Sequence, residues 1–530
     1  MDSLSPQEAG AAAPARWRTL VAALVIAGVA AAGVVVILKL TAIRAYCTRD
    51  SASYLGAARN AVEGRGLTLP WGSPPDRPLV HFPPLYPAVL AAIGLLGPDP
   101  LSVTRWLNAL LFGANIALVA FAAFRVTRNR FLSCLAAVLM AASPATLRIH
   151  TAVWSEPLFM FLMVIALVAM HAYAQRPARW LFFLACNATA LALLCRWTGA
   201  PLVWAGLIVL CAFGSGGIVK RLGRCAAFGS LSCLPIGLWM LRNLRTSGTA
   251  TNRYFTSHPL TPQHTYDALC TVSGWAVPGF RPGLPERHSL VPMVLLCLGA
   301  VCLAGLFVLW GAEGRMRARL RRIPWAYMVF GVLYCAFVVL SISYFDRMTP
   351  LNDRILAPAY IAWLLILLGM WSNAWAPGLN AWPVRGIAVA AWVVLAVLQL
   401  RAGATFFAFE RDRTRFTASS WDSAETALAE SLPPDRVVYS NWPEDLYNFT
   451  GRLARSWPAK ADPTSGQPVP DYQERLLEAV GEMKQSGGRL IMFSGGTPER
   501  DLSLVLVGRA GRVSVYAPRA QPAPRRRGGT

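Results

Sequence analysis

Runs of about twenty consecutive apolar residues recur along most of this chain, and no other feature limits its fold as strongly, because a bilayer's hydrocarbon core is the solvent such runs match. The spans read from hydropathy cover residues 18–41, 103–124, 131–147, 154–174, 180–195, 199–216, 225–242, 289–312, 325–343, 354–373 and 385–402. The expected fold class is therefore a mostly α, polytopic membrane protein with about 11 transmembrane helices. The first run is too long for a signal-peptide core and reads as a retained anchor. Residues 84–97, bracketed by prolines, are too few to span and are expected on or in the interface. A chain that is 55% hydrophobic and only 15% charged is not a soluble enzyme with one core.

The net charge of +23 suggests nucleic acid at first sight. The arginines, however, are spread over short loops between apolar runs and form no basic stripe, so no nucleic-acid partner is expected, whereas membrane lipids are. The eleven cysteines include no CxxC and no Cys/His spacing suited to zinc, so no metal site is read from them. Cys47 and Cys270 alone fall in expected loops and form the one candidate disulfide pair.

Basic residues cluster at 125, 128 and 130, at 220, 221 and 224, and at 315–322, in loops that share a side with the N-terminus. The positive-inside rule makes that side cytoplasmic. Twelve acids precede residue 403, and nine of them (Asp50, Glu63, Asp76, Asp99, Glu156, Asp267, Glu286, Asp346 and Asp353) fall on the outer side. Carboxylate chemistry is therefore expected outside.

Asp50 opens one such region. Tyr54, Leu55, Ala58 and Val62 follow at helical spacing, and Gly64 supplies a stop, so residues 51–63 read as a short amphipathic helix lying along the interface. Asp50 fits the N-cap of that helix, and a carboxylate can cap and act chemically at once.

These residues carry a resemblance. The spacing D-x-x-x-Y-x-x-x-A after the first span, a following G-x-G, "HFPPLYP" at 81–87, "SEPLF" at 155–159, "CRWTG" at 195–199, "LRNLRTSGT" at 241–249 and "RILAP" at 354–358 resemble, in this order, the bacterial GT-C glycosyltransferases. That superfamily includes protein O-mannosyltransferases and lipid A aminoarabinose transferases. The resemblance implies a GT-C fold over residues 17–402 and an inverting transfer of a sugar from a polyprenyl-phosphate donor to a lipid, glycan or protein acceptor. It implies the bacterial cell (inner) membrane, and there the odd number of expected spans places the C-terminal domain on the extracytoplasmic side, opposite the cytoplasmic N-terminus. It also makes Asp50 the candidate catalytic base, since an attacking hydroxyl needs a carboxylate within hydrogen-bond reach. Many relatives carry a second acid beside the first, but here Ser51 follows Asp50. No cofactor is assigned, and a divalent cation at this motif stays open.

The leaving lipid phosphate gains charge where water is scarce, which suits arginine's planar, always-charged fork. Arg196, Arg242 and Arg354 each sit at the outer end of an expected span, and the resemblance implies phosphate contact most directly for Arg354. Interfacial snorkelling is the alternative for each of them. Glu156, followed by Pro157, opens a span and is expected to position sugar or acceptor, or else to complement the helix dipole. Tyr54 and His81 complete the substrate-binding candidates. Asp346 and Arg347 are a candidate pair. The alternative function is a lipid or glycan transporter without covalent chemistry; no internal repeat and no charge at a span centre favours it.

Domains are expected as a cytoplasmic tail 1–16, a membrane domain 17–402 with a first outer loop 42–102, a soluble α/β domain 403–519 and a disordered basic tail 520–530. In the α/β domain, residues 435–441 and 489–495 read as strands and 443–451 and 471–485 as helices, which suggests a parallel pair of strands. No glycine-rich phosphate loop follows the first strand, so nucleotide binding is not expected.

Overall fold

The computed structural model of the chain describes residues 6–43, 45–71, 76–213, 216–278, 324–374, 382–417, 423–433, 435–461, 468–493, 496–499 and 502–519. The expected span 289–312 and the basic tail 520–530 lie outside the described residues. Two compact units emerge: Met1–Ala45, Val80–Tyr86 and Ser102–Arg411 form one, and Tyr46–Leu79, Pro87–Leu101 and Asp412–Thr530 form the other.

The first unit is helical and spans a membrane several times. Seven described helices are long and apolar enough to cross: Trp17–Leu40, Pro100–Thr127, Glu156–Gln175, Ile218–Ser247, Trp325–Tyr344, Asp353–Ser372 and Val389–Arg411. Each overlaps an expected span. An eighth segment qualifies only as a pair, Arg130–Ala142 and Pro144–Thr151, bent by 56°. The bend has a local cause. Pro144 opens the second helix, and Ser143 before it is extended (φ −66°, ψ 124°), as a residue preceding proline prefers. The expected spans 180–195 and 199–216 are shorter helices, Arg179–Cys195 with 17 residues and Ala200–Phe213 with 14. At about 1.5 Å per residue the second covers roughly 21 Å, less than the ~30 Å hydrocarbon core. The described residues therefore hold fewer full-length spans than hydropathy suggests, because an apolar run does not reveal where its helix breaks.

Small residues bring helices close. A Cβ on Gly33 would lie 2.6 Å from Ile116 Cδ1, and one on Gly113 2.7 Å from Val34 Cγ2, so the first two spans meet through glycine. Buried polar ties then fix the chain where the Glu156 helix begins. Asn108 Nδ2 donates to the Ala152 carbonyl (2.6 Å) and Asn115 Nδ2 to the Pro157 carbonyl (3.0 Å). Asn115 Nδ2 also lies 3.1 Å from His150 Nε2, and His150 Nδ1 lies 2.7 Å from the Thr146 carbonyl. Since that carbonyl can only accept, the imidazole proton sits on Nδ1 and Nε2 accepts from Asn115. In a water-poor interior such groups need partners inside the protein, so these bonds hold residues 152–157 in one place.

The second unit is built on a five-stranded sheet. Val438–Ser440 pairs in parallel with both Arg455–Ser456 and Arg489–Phe493, while Val513–Pro518 pairs antiparallel with Arg489–Phe493 and with Leu504–Ala510. The expected parallel pair is present; the closing hairpin, turning at Gly511 (φ 49°), is an addition. Alternation along Arg489–Phe493 explains the two-sided core. Leu490 and Met492 pack with Leu476, Val480 and Met483 of the helix Tyr472–Ser486. Ile491 and Phe493 face the other way, onto Leu432, Val438 and Leu446.

Residues of the expected first outer loop cluster with this unit. The helix carrying Asp50 spans Arg49–Val62, and most of it, Ser51 to Ala58 and Asn60, is buried, so it is not the half-exposed helix expected from its spacing. Ala52, Trp71 and Tyr447 form one apolar cluster, which joins that helix to the helix Pro443–Thr450. Cys270 lies as a free cysteine inside the helix Pro262–Ala276, not in a loop, and forms no disulfide with Cys47.

Candidate active site

Glu156 is the first residue of its helix, preceded by Ser155 and followed by Pro157, which occupies the turn where a missing N–H costs nothing. Its side chain is 2% exposed. Two arginines distant in sequence converge on one of its oxygens: Arg196 Nη1 lies 2.8 Å and Arg354 Nε 2.5 Å from Glu156 Oε1. The second oxygen, Oε2, is buried and has no hydrogen-bond partner among the described residues.

Local structure aims both arginines. Arg196 is extended (φ −150°, ψ 144°) between the end of the helix Arg179–Cys195 and the 3-10 turn Trp197–Gly199. Gly199 is needed there, since a Cβ would lie 2.8 Å from the Leu193 backbone. Arg196 Nη1 also donates to Ser155 Oγ at 2.9 Å, and Trp197 Nε1 donates to the His81 carbonyl at 2.9 Å. Arg354 lies in the first turn of the helix Asp353–Ala374, where Asn352 Oδ1 accepts from the Arg354 and Ile355 amides at 3.1 and 3.4 Å. Its guanidinium stacks 4.3 Å above the Trp154 ring. With side chains 15% and 18% exposed, Arg196 and Arg354 do not snorkel; they are drawn in by a buried carboxylate.

This cluster carries two positive charges against one negative in a water-poor setting. An anion placed there would meet guanidinium donors already oriented by Glu156, Ser155 and Trp154, so little reorganisation would be needed on binding. Trp154 gave no signal in the sequence, and Ser155 stood only as the first residue of the SEPLF motif. They follow from standing directly before Glu156.

The other candidates lie elsewhere. Arg242 stacks 4.6 Å over Trp239 and donates to Asn243 Oδ1 at 3.0 Å. The His81 ring meets Phe82 edge-on at 4.8 Å, while its backbone carbonyl supports Trp197. Asp346 faces Arg253 Nη1 at 3.7 Å instead of pairing with Arg347, whose carbonyl lies 3.1 Å from His264 Nε2.

Asp50 and Tyr54 belong to the second unit. The N-cap of their helix is Thr48 and not Asp50, which occupies the first turn. The Thr48 amide donates to Ser51 Oγ at 2.8 Å, as in a capping box. Ser51 therefore has a structural task where many relatives carry a second acid. Asp50, relieved of capping, is half-buried near the positive end of the helix dipole. Tyr54 is 2% exposed.

The Pro443–Thr450 helix braces the Asp50 helix through charge as well as apolar contact. Arg49 stacks 4.1 Å over Trp442 and lies 4.0 Å from Asp445 Oδ2. Arg59 donates to Tyr447 Oη at 3.1 Å and to Asp99 Oδ1 at 2.9 Å. Burial is the largest influence on Arg59 and lowers its pKa, but Asp99 and Tyr447 outweigh it and the net direction is up. Burial pushes the Glu444 and Asp445 carboxyls above the usual range, with Arg49 opposing in both cases. Among the described residues no group of three metal-ligating side chains converges.

Comparison with known proteins agrees with this architecture. Residues 79–214, which include Glu156 and Arg196, match the family model of dolichyl-phosphate-mannose-protein mannosyltransferase. No curated protein matches the chain in sequence. In structure it is similar to ArnT from Cupriavidus metallidurans in the apo state, with TM-score 0.58, 16% identity, and coverage of 96% of this chain and 98% of that one. Against the same enzyme bound to undecaprenyl phosphate the TM-score is 0.55, at 17% identity, covering 92% of this chain and 97% of that one. The chain is thus a multi-pass membrane protein of the GT-C fold, similar in structure to ArnT, in which residues 79–214 match the protein mannosyltransferase family model.

Proposed function

We propose that this protein is an inverting glycosyltransferase that moves a sugar from a polyprenyl-phosphate donor to an acceptor at the extracytoplasmic face of a bacterial cell membrane. The observation that carries the reading is the pair Arg196 and Arg354, held on the buried Glu156 carboxylate with a net positive charge. The reading is supported by the undecaprenyl phosphate bound to ArnT and by the family match over residues 79–214.

In this mechanism the donor phosphate lies against the two guanidinium groups. An acceptor hydroxyl attacks the anomeric carbon from the face opposite the phosphate, the bond from that carbon to the phosphate oxygen breaks, and polyprenyl phosphate leaves with the bonding electron pair. Arg196 and Arg354 stabilise the charge that grows on the phosphate, which is the larger demand of the step. The hydroxyl proton passes to a carboxylate, for which Asp50 is the candidate. Glu156 holds the arginines, and its Oε2, which has no hydrogen-bond partner among the described residues, accepts a hydrogen bond from a hydroxyl of the donor sugar.

The test is sugar transfer by purified protein in nanodiscs, with a panel of polyprenyl-phosphate sugars and a membrane extract as acceptor. Wild type should form labelled product, and Asp50→Asn should lower the rate by about 10²-fold or more, the usual worth of a general base, with donor binding retained. Full transfer by Asp50→Asn would remove Asp50 as the base. Donor binding with no transfer by either protein would favour a lipid transporter.

A further inference from the structure

The helix that presents Arg354 in its first turn carries Ser372 near its other end. Eighteen residues at about 1.5 Å each separate them by roughly 27 Å, close to the thickness of a bilayer core. At that far end lies a cavity of about 590 Å³, lined by Arg18, Thr127, Arg128, Asn129, Arg130, Phe131 and Ser372. It is independent of the Glu156 cluster and shares no residue with it.

Its chemistry is one-sided. Three arginines line it and no acidic residue among the described residues does. Arg130 Nε is buried and has no hydrogen-bond partner among the described residues, so a desolvated donor there awaits an acceptor. Asn129 Oδ1 is already engaged by the Phe131 and Leu132 amides at 2.9 and 3.3 Å and offers no competing acceptor. Arg128 has φ 56°, an uncommon left-handed value for a residue other than glycine, at the turn between the two helices. Phe131, 55% exposed, and Trp17, 65% exposed beside Arg18, supply the apolar and aromatic surroundings of the headgroup level. The volume lies within the range of small-ligand pockets.

We propose that this cavity binds the phosphate of an anionic phospholipid headgroup, in the leaflet opposite the Glu156 cluster. Arg18 joins the first span to the turn at 128–130 through that phosphate, and the acyl chains run along the Phe131 face. The chemistry recognised is a phosphate oxyanion; the setting at the ends of the spans selects a lipid over a free ion.

The full chain, purified in detergent and delipidated, is titrated with short-chain phosphatidylglycerol, with phosphatidylcholine and with inorganic phosphate, and bound species are counted by native mass spectrometry. Wild type should bind phosphatidylglycerol at least tenfold more tightly than Arg18→Gln/Arg128→Gln/Arg130→Gln. Phosphatidylcholine and inorganic phosphate should not bind at the same concentrations. The lysine versions at the three positions should keep most of the affinity. If the triple glutamine variant does not fold, Arg130→Gln alone should weaken phosphatidylglycerol binding severalfold. Equal binding by wild type and the folded variants, or equal binding of phosphatidylcholine, overturns the proposal. Inorganic phosphate binding as tightly as the lipid assigns the cavity to a free anion and also overturns it.

Discussion

Glu156 sets one carboxylate oxygen between two guanidinium groups and leaves the other without a hydrogen-bond partner among the described residues. Breaking a buried pair by removing one charge costs about 3–5 kcal/mol, because the remaining charge is left desolvated, and here two arginines would face each other unscreened. Glu156→Gln is therefore expected to lower the melting temperature of the purified protein and to weaken polyprenyl-phosphate binding by more than tenfold, as Arg196 and Arg354 splay apart. A Glu156→Gln protein with unchanged stability and donor affinity would show that the arginines are held by something else. The residue types of this site were legible in the sequence, since an acid and two arginines stood at span ends within recognisable motifs. Their union was not, because Arg354 is 198 positions from Glu156 and no local spacing encodes that approach. Asp50 illustrates a smaller ambiguity. Thr48 and Asp50 are both favoured N-caps two residues apart, and only the Ser51 hydroxyl returning to the Thr48 amide fixes the frame.

At the scale of elements, hydropathy located the apolar helices well and their ends poorly. The break at Ser143–Pro144 lies inside an expected span, so the run of side chains continues while the backbone does not, whereas the turn at Trp197–Gly199 falls where two expected spans meet. Backbone proximity was equally hidden. The long helix Trp382–Thr417 passes the helix Arg130–Ala142 so closely that a Cβ on Gly403 would overlap the Ala142 carbonyl oxygen. A backbone atom cannot swing aside as a side chain can. Gly403→Ala is expected to destabilise the fold by about 1–3 kcal/mol through overpacking, although alanine is the better helix former. Gly237→Ala, which meets nothing within 4 Å, is the control and should be neutral or slightly stabilising in the same thermal melt. Equal melting temperatures for the two variants would mean that the helices do not approach as described.

At the scale of the whole molecule, the second unit draws its residues from three stretches of chain, and its response to pH reflects how they meet. Burial raises the Glu444 pKa, so the folded unit binds that proton more tightly than the unfolded chain does. Stability from this group is complete below the unfolded carboxylate pKa and is lost as pH rises through the folded value. Glu444→Gln should thus stabilise the protein relative to wild type at pH 7, with the difference in melting temperature shrinking toward zero as pH falls below about 4. A difference independent of pH would assign the effect to packing and not to charge. The α/β character of this unit was readable from short strands and helices, but its possession of the Asp50 helix was not, since Arg59 and Tyr447 are 388 residues apart. That separation also orders events in time. At about 5–20 residues per second, the brace around Asp50 is synthesised roughly 20–80 s after Asp50 itself. Until then the helix bearing the candidate base lacks its partner surface, so this unit can close only after nearly the whole chain has been made.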